Sequence, residues 1–124
     1  MRLFVNTLVA LTGLFFAAMW LGWMVDPARM ATEWNLSSLS LAGTNNLRGD
    51  IGGLFLSVAA FCGLYFVGGA MWLRAAGIVM VCVMVGRYAG IGLDGYHPQS
   101  MVNAIAEALF LLVFMAAMKF GGRP

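Results

Sequence analysis

Two stretches of the chain, residues 3–25 and 51–73, contain no charged residue at all. Two further stretches, residues 75–93 and 101–118, contain a single charged residue each. A helix crosses the hydrocarbon core of a bilayer with roughly 20 predominantly apolar residues, and all four stretches come close to or exceed that length. Residues 51–93 are too long for one crossing, so they must fold back on themselves. The sequence therefore predicts four membrane-spanning helices.

The composition excludes a fold that is stable in water. Hydrophobic residues make up 62% of the 124 residues and charged residues 10%, whereas soluble domains have about 45–50% and about 25%. A globule of this size has too little interior to bury such an excess. A net charge of +2 is also too small for a nucleic-acid-binding surface. We therefore expect an all-α, integral membrane four-helix bundle whose partner is the lipid bilayer and not nucleic acid.

Basic residues are distributed unequally between the two ends of this predicted bundle. One end carries only basic charges, from Arg2, Arg74, Lys119 and Arg123, whereas the other end carries both signs. Short loops rich in Lys and Arg stay in the cytoplasm. Both termini and the turn at Arg74 are therefore expected in the cytoplasm, with the first and third loops outside. The inner half of the bundle is expected to be almost wholly apolar.

The first outer loop begins with Asp26 and Pro27, which favour a helix start because Asp caps free amides and Pro suits the first helical position. Met30 and Trp34 follow one helical turn apart, on one side of such a helix. We expect a short amphipathic helix that lies in the interface of the outer leaflet and covers the mouth of the bundle. The alternative is a loop that docks against a partner subunit.

The two charges within the spans, Arg87 and Glu107, are placed symmetrically about the last outer turn. They lie equally far before and after His97, near the middle of that turn, so an antiparallel hairpin brings them to the same depth. An unpaired charge inside a bilayer is costly. We therefore expect an Arg87–Glu107 ion pair between the third and fourth spans. Such a pair either locks the two helices in register or contacts a ligand.

Further polar residues are expected at the level of this pair. Asp94 follows the arginine on one stripe of its helix, and Asn103 shares a helix face with the glutamate. Asp50 is expected to cap the second spanning helix, with Arg48 just before it. We predict a pocket between the second, third and fourth spans. Its expected lining is Arg48, Asp50, Arg87, Asp94, Asn103 and Glu107, with Tyr88 at the rim.

Short motifs spread over most of the chain carry a family resemblance. They are Leu47-Arg48-Gly49-Asp50-Ile51-Gly52-Gly53-Leu54, Gly86-Arg87, Asp94-Gly95, Pro98 and Glu107. With these motifs the chain resembles a family of small bacterial four-helix membrane proteins close to the DoxX-like group. The resemblance implies the fold, a multi-pass location in the bacterial inner (cytoplasmic) membrane, and the importance of Arg48, Arg87, Asp94 and Glu107. It implies no reaction.

Two functions from different classes fit these expectations. In the first, the pocket binds an amphiphilic molecule such as a lipid, a quinone or an isoprenoid. Arg48 and Arg87 would then bind its head group, and Glu107 or Asp50 would be the catalytic group for proton transfer, because a carboxylate in a low dielectric can act as a general acid or base. In the second, the chain is an accessory subunit of a larger membrane complex, and its apolar faces contact partner subunits.

Two other classes of function are disfavoured by the residues. A dimeric multidrug-type transporter is disfavoured because the first span has no acidic residue. The chain has one histidine and no pair of residues with the spacing of metal ligands, so no metal site is predicted. No cofactor is expected.

Overall fold

The computed structural model describes residues 1–36, 43, 47–95 and 98–121. This part of the chain is helical and contains no strand. Its helices are α1 (Arg2–Val25), α2 (Pro27–Glu33), α3 (Arg48–Gly68), α4 (Met71–Asp94) and α5 (Pro98–Phe120). Among these described helices, all but α2 are long and apolar enough to cross a membrane. The prediction of four spanning helices is thus confirmed at the level of length and composition.

The four long helices pack in the cyclic order α1, α3, α4, α5. Helix α1 contacts α3 and α5, and α4 contacts the same two helices. The start of α3 packs against the end of α1, and short connections join α3 to α4 and α4 to α5. Successive long helices are therefore antiparallel, and the bundle has two distinct ends. The terminal end carries the start of α1, the turn between α3 and α4, and the end of α5. The loop end carries α2 and the connection between α4 and α5.

The core lies along the bundle axis, and every long helix contributes to it. Its largest fully buried side chains are Val9, Trp23, Val58, Cys62, Tyr65, Leu73 and Phe114. Helices α1 and α3 are in close contact at Gly13, where an added Cβ would lie 2.9 Å from the Cβ of Cys62. Glycine is needed at this position, because any side chain would force the two helices apart.

The terminal half of the bundle is less apolar than the sequence indicates. The hydroxyl of Tyr65 donates a hydrogen bond of 2.8 Å to Oδ1 of Asn6, and Tyr65 is 1% exposed. A buried tyrosine hydroxyl normally finds such a partner, because leaving it unpaired is costly. The bond joins the start of α1 to the end of α3.

The turn between α3 and α4 lies earlier than expected. Helix α3 ends at Gly68, and Gly69 has a φ of 83°, a conformation that glycine adopts without steric cost. Arg74, which the sequence analysis placed at the turn, lies inside α4 and is exposed. An arginine is tolerated there because its long side chain can extend from the first turn of a helix towards the membrane surface.

The start of α3 corrects the prediction that Asp50 caps this helix. The helix begins at Arg48 with a π-helical turn, Arg48–Gly52, so Asp50 lies inside the helix and makes no capping bond. The early start has a physical cause in Arg48. Its Nε donates to the carbonyl of Trp23 (3.2 Å) and its Nη2 to the carbonyl of Met24 (3.1 Å). These bonds hold the first turn of α3 against the last turn of α1.

Helix α2 forms where the sequence predicts a short helix. Oδ1 of Asp26 accepts a bond of 3.1 Å from the amide of Arg29, with Pro27 at the first helical position. Met30 is buried against α1, and its Sδ would lie 2.9 Å from a Cβ added at Gly22. Leu39 and Leu41, which follow this helix in the sequence, lie outside the described residues.

Candidate functional site

A cavity of about 270 Å³ lies at the loop end of the bundle. We call it the head cavity. All four long helices and the residues that end α2 contribute to its wall. The lining residues are Phe15, Phe16, Met19, Glu33, Trp34, Leu54, Phe55, Met80, Val83, Arg87, Gln99, Asn103, Ala106, Glu107 and Phe110. The pocket predicted from the sequence lies at this level but between α3, α4 and α5, and its predicted lining includes neither α1 nor Trp34.

The ion pair between Arg87 and Glu107 is present, as predicted. Nε of Arg87 lies 2.9 Å from each carboxylate oxygen of Glu107, and Nη2 donates to Oε1 as well. The two side chains keep 25% and 12% of their surfaces exposed. This fork geometry is among the stronger kinds of charge-assisted hydrogen bond. It joins α4 to α5 and borders the head cavity.

Two amides extend the polar side of the cavity from this pair. Asn103 lies one helical turn before Glu107 on α5, and Gln99 lies one turn before Asn103. Nε2 of Gln99 donates a bond of 3.2 Å to Oδ1 of Asn103. The cavity therefore has a strip of polar groups along α5, beginning at the ion pair and running towards the loop end.

The remaining wall is mainly aromatic. The ring centroids of Phe16 and Phe110 lie 5.0 Å apart, and those of Phe16 and Phe55 lie 5.7 Å apart. Trp34 contacts Phe55 in an edge-to-face arrangement, with centroids at 5.5 Å. These separations fall in the range that favours aromatic pairs. Rings from three helices and from the residue after α2 thus surround the space beside the ion pair.

The charges that line the cavity are each matched by an opposite charge. Arg87 and Glu107 neutralise each other across the α4–α5 seam. Glu33, at the other side, accepts a bond of 2.7 Å from Nε of Arg29. This bond and the negative charge of Glu33 raise the pKa of Arg29. The described lining therefore presents polar groups without an uncompensated charge.

Arg48 was predicted to line the pocket, but the structure places it elsewhere. Its guanidinium is engaged with the last carbonyls of α1, as described above, and it is absent from the cavity wall. A cation at a helix C-terminus interacts favourably with the helix dipole and with its unpaired carbonyls. The structure therefore gives Arg48 a positioning role between α1 and α3.

The other predicted site residues divide into three groups. Asn103 lies in the cavity wall with the ion pair. Asp50 and Tyr88 are exposed and do not belong to the described lining. The side chain of Asp94 and the whole of His97 lie outside the described residues.

The aromatic wall and Glu33 were not predicted from the sequence. One signal was available for Phe110, which lies one turn after Glu107 on the same face of α5. For Phe15, Phe16 and Phe55 no comparable signal exists, since an apolar residue in a spanning helix suits a lipid-facing, a buried and a cavity-lining position equally well. Glu33 resembles an ordinary surface partner of Arg29 in sequence, because the two are one helical turn apart.

Comparison with known protein families, with curated proteins and with solved structures gives no match to this chain. Its function must therefore be argued from the head cavity itself. The relevant features are the ion pair, the amide strip, the aromatic wall and the size of the space they enclose.

Proposed function

We propose that this protein binds the head group of an amphiphilic molecule, of the lipid, quinone or isoprenoid kind, in the head cavity. The observation that carries the proposal is the position of the Arg87–Glu107 pair beside empty space. A pair that serves only to hold two helices in register gains most when side chains pack over it. Here the pair borders a largely apolar cavity with a few convergent polar groups, which is the usual form of a ligand site.

The size of the cavity limits what enters it. Pockets for drug-sized ligands are roughly 300–1,000 Å³, and the head cavity is about 270 Å³. It therefore has room for one ring or a compact polar head, and the rest of a membrane amphiphile must lie outside it. The aromatic wall favours a planar or apolar head that packs against rings.

Arg87 and Glu107 are the groups that would contact the head. The described hydrogen bonds of Arg87 use Nε and Nη2. A guanidinium has donors on all three nitrogens, and in this proposal one of them donates to an oxygen of the ligand. Glu107 is the group for any proton transfer, because its carboxylate is next to both the arginine and the cavity.

The proposal includes a setting in the membrane. We place the protein in the bacterial inner membrane with both termini in the cytoplasm, so that the head cavity lies in the outer leaflet. Arg2, Arg74 and Lys119, at the terminal end, support this orientation. Helix α2 then lies in the outer interface, with Met30 turned towards the bundle. Kinship with the DoxX-like group is part of the same proposal.

The orientation is tested by labelling single cysteines after Cys62 and Cys82 are replaced by Ala. Thr32→Cys and Arg74→Cys each introduce a thiol at an exposed position, the first at the loop end and the second at the terminal end. A membrane-impermeant maleimide added outside intact cells should modify the Thr32→Cys variant and spare the Arg74→Cys variant. The reverse pattern would contradict the proposed orientation.

The ligand site is tested by filling the cavity and, as a control, an outward-facing position. Ala106 lines the head cavity, whereas Ala89 on α4 is exposed. The protein is extracted with its surrounding lipid in nanodiscs, and native mass spectrometry identifies bound small molecules. Ala106→Phe should weaken retention of a bound amphiphile by about tenfold or more, because an overfilled site costs 1–3 kcal/mol. Ala89→Phe should retain it.

The accessory-subunit function is the alternative outcome of this experiment. It predicts that membrane proteins copurify with the chain in defined proportion. It also predicts that no small molecule is retained by either the wild type or the Ala89→Phe variant. That combination would contradict the ligand-binding proposal.

A further inference from the structure

A second, apolar depression lies on the bundle surface between α1 and α5. It has a volume of about 280 Å³, and we call it the seam groove. Its lining residues are Leu8, Leu11, Thr12, Phe15, Leu109, Phe110 and Val113. Thr12 is the one polar residue in this described lining, and its side chain belongs to the buried core. The groove offers an apolar surface with almost no hydrogen-bonding capacity.

The seam groove adjoins the head cavity. Phe15 and Phe110 line both spaces, and their ring centroids lie 5.4 Å apart. These two rings therefore form the boundary between the cavity and the groove.

The order of residues along both helices gives the direction of the groove. On α1, Met19 lines the cavity and is towards the loop end, whereas Leu8 lines the groove and is towards the terminal end. On α5, which runs the opposite way, Glu107 is towards the loop end and Val113 is towards the terminal end. Both helices thus place the groove on the same side of the ring pair, deeper in the membrane than the cavity.

The groove is open to the side of the bundle. Leu11 is 56% exposed and Leu109 is 57% exposed. The contact between α1 and α5 is also the least extensive among the four pairs of neighbouring long helices. The groove is therefore accessible from the surrounding lipid.

We infer that the ligand is a single-chain amphiphile with an uncharged, ring-sized head, and that its chain lies in the seam groove while its head occupies the head cavity. The inference rests on the proposed function. Polarity along the two spaces matches such a molecule, because the ion pair and the amides lie at one end and apolar side chains at the other. A groove along one helix seam has room for one chain.

The uncharged head follows from the charges of the lining. Arg87 is already neutralised by Glu107, and Glu33 by Arg29. A phosphate or carboxylate head would lie beside two carboxylates with no free cation in the described lining. A hydroxyl or carbonyl head instead accepts from Arg87 and exchanges hydrogen bonds with Asn103 without adding a charge.

The groove contributes to binding through shape. Lipid chains are as apolar as leucine, so moving an alkyl chain from the bilayer into the groove brings little hydrophobic gain. The groove instead provides a place for the chain while the head turns into the cavity. Blocking the groove should therefore weaken the binding of long-chain molecules and leave short-chain molecules with the same head unaffected.

The test uses two fluorinated phenols that differ in chain length, 4-dodecyl-2-fluorophenol and 4-ethyl-2-fluorophenol. Each is titrated into phosphatidylcholine nanodiscs that hold the protein, and fluorine NMR measures the bound fraction at a given mole fraction in the lipid. Leu109→Trp fills the groove. Leu112→Trp is the matched control, because Leu112 is a similarly exposed leucine of α5 outside the groove.

Leu109→Trp should weaken binding of the dodecyl probe by about tenfold, since the indole occupies the path of the chain. The same variant should bind the ethyl probe as the wild type does, which also shows that it is folded. Leu112→Trp should change neither probe. Leu11→Trp, from the opposite wall of the groove, should reproduce the selective loss, with Leu14→Trp as its control.

The outcomes separate this inference from the proposed function. The groove inference is wrong if the ethyl probe binds the wild type but Leu109→Trp does not weaken binding of the dodecyl probe. It is also wrong if Leu112→Trp weakens that binding as much as Leu109→Trp does. In both cases the proposed binding site in the head cavity is unaffected. If neither phenol binds the wild type, the proposed function fails for uncharged ring heads. If 4-dodecyl-2-fluorobenzoate binds as tightly as 4-dodecyl-2-fluorophenol, the inference of an uncharged head is wrong.

Discussion

The two ends of the bundle contain cavities of similar size but of different chemistry. The head cavity measures about 270 Å³, and a second cavity at the terminal end measures about 300 Å³. The terminal cavity is lined by Tyr65, Gly68, Gly69, Ala70, Met71, Ala117, Met118 and Gly121, with no charged residue among them. Empty volume therefore does not distinguish a functional site from a packing gap in this molecule.

The polar groups at the two ends show a clearer difference. At the terminal end, Tyr65 and Asn6 are neutral and bonded to each other, so the hydroxyl proton has its acceptor within the bundle. At the loop end, two charges are held beside the cavity, at a cost in desolvation that a neutral pair would avoid. This comparison favours a binding role for the loop end and a packing role for the terminal end.

The largest expected effect comes from breaking the ion pair from one side. Glu107→Gln leaves the Arg87 guanidinium without its counter-charge, which should destabilise the bundle by about 3 kcal/mol. This loss is at the low end of the range for removing one partner of a buried ion pair, because both side chains are partly exposed. Unfolding in mixed micelles with increasing dodecyl sulfate measures the loss.

A double-mutant cycle provides the control for this prediction. Arg87→Met and Glu107→Met each leave one charge behind, whereas the double variant leaves none, so the double variant should be more stable than either single variant. If the stability lost in the double variant equals the sum of the losses in the two single variants, the two side chains do not interact. A binding role for the loop end would then lose its support.

The fold and the ion pair were accessible from the sequence for physical reasons. Uncharged stretches of bilayer length have few alternatives to spanning helices. Two opposite charges at equal distances from one turn must meet in an antiparallel hairpin, and the cost of an unpaired charge in lipid makes pairing the expected outcome. Arg87 and Glu107 were therefore predicted correctly from spacing alone.

Apart from Asn103, the rest of the cavity wall was not accessible in this way, nor were the partners of Arg48. Arg48 donates hydrogen bonds to backbone carbonyls of α1. Every residue has a backbone carbonyl, so the sequence does not indicate which carbonyls bind an arginine. Phe15 and Trp34 line the cavity because α1 packs beside α5 and because α2 returns over α1. Neither arrangement follows from apolar composition, which is nearly the same on every face of these helices.

An intermediate effect is expected for Arg48, which joins α1 to α3 at the loop end. Arg48→Met removes two charge-assisted hydrogen bonds to the carbonyls of Trp23 and Met24 and should cost about 2 kcal/mol of stability. The same unfolding assay measures it, with the exposed Arg29→Met as a control that should show no measurable loss. Binding of the ethyl phenol should persist in folded Arg48→Met, since the cavity wall is intact. Loss of that binding would instead show that Arg48 contacts the ligand.

The smallest effect is expected at the terminal end, and it tests the comparison most directly. Tyr65→Phe removes the hydroxyl that donates to Asn6 and should cost about 1 kcal/mol, the usual net value of a neutral hydrogen bond. Ligand binding should be unchanged, because the head cavity lies at the other end of the bundle. Tyr88→Phe, at an exposed tyrosine of α4, should alter neither stability nor binding. If Tyr65→Phe weakened binding as strongly as Ala106→Phe, the terminal cavity would take part in the function, and the two ends would have to be treated as one site.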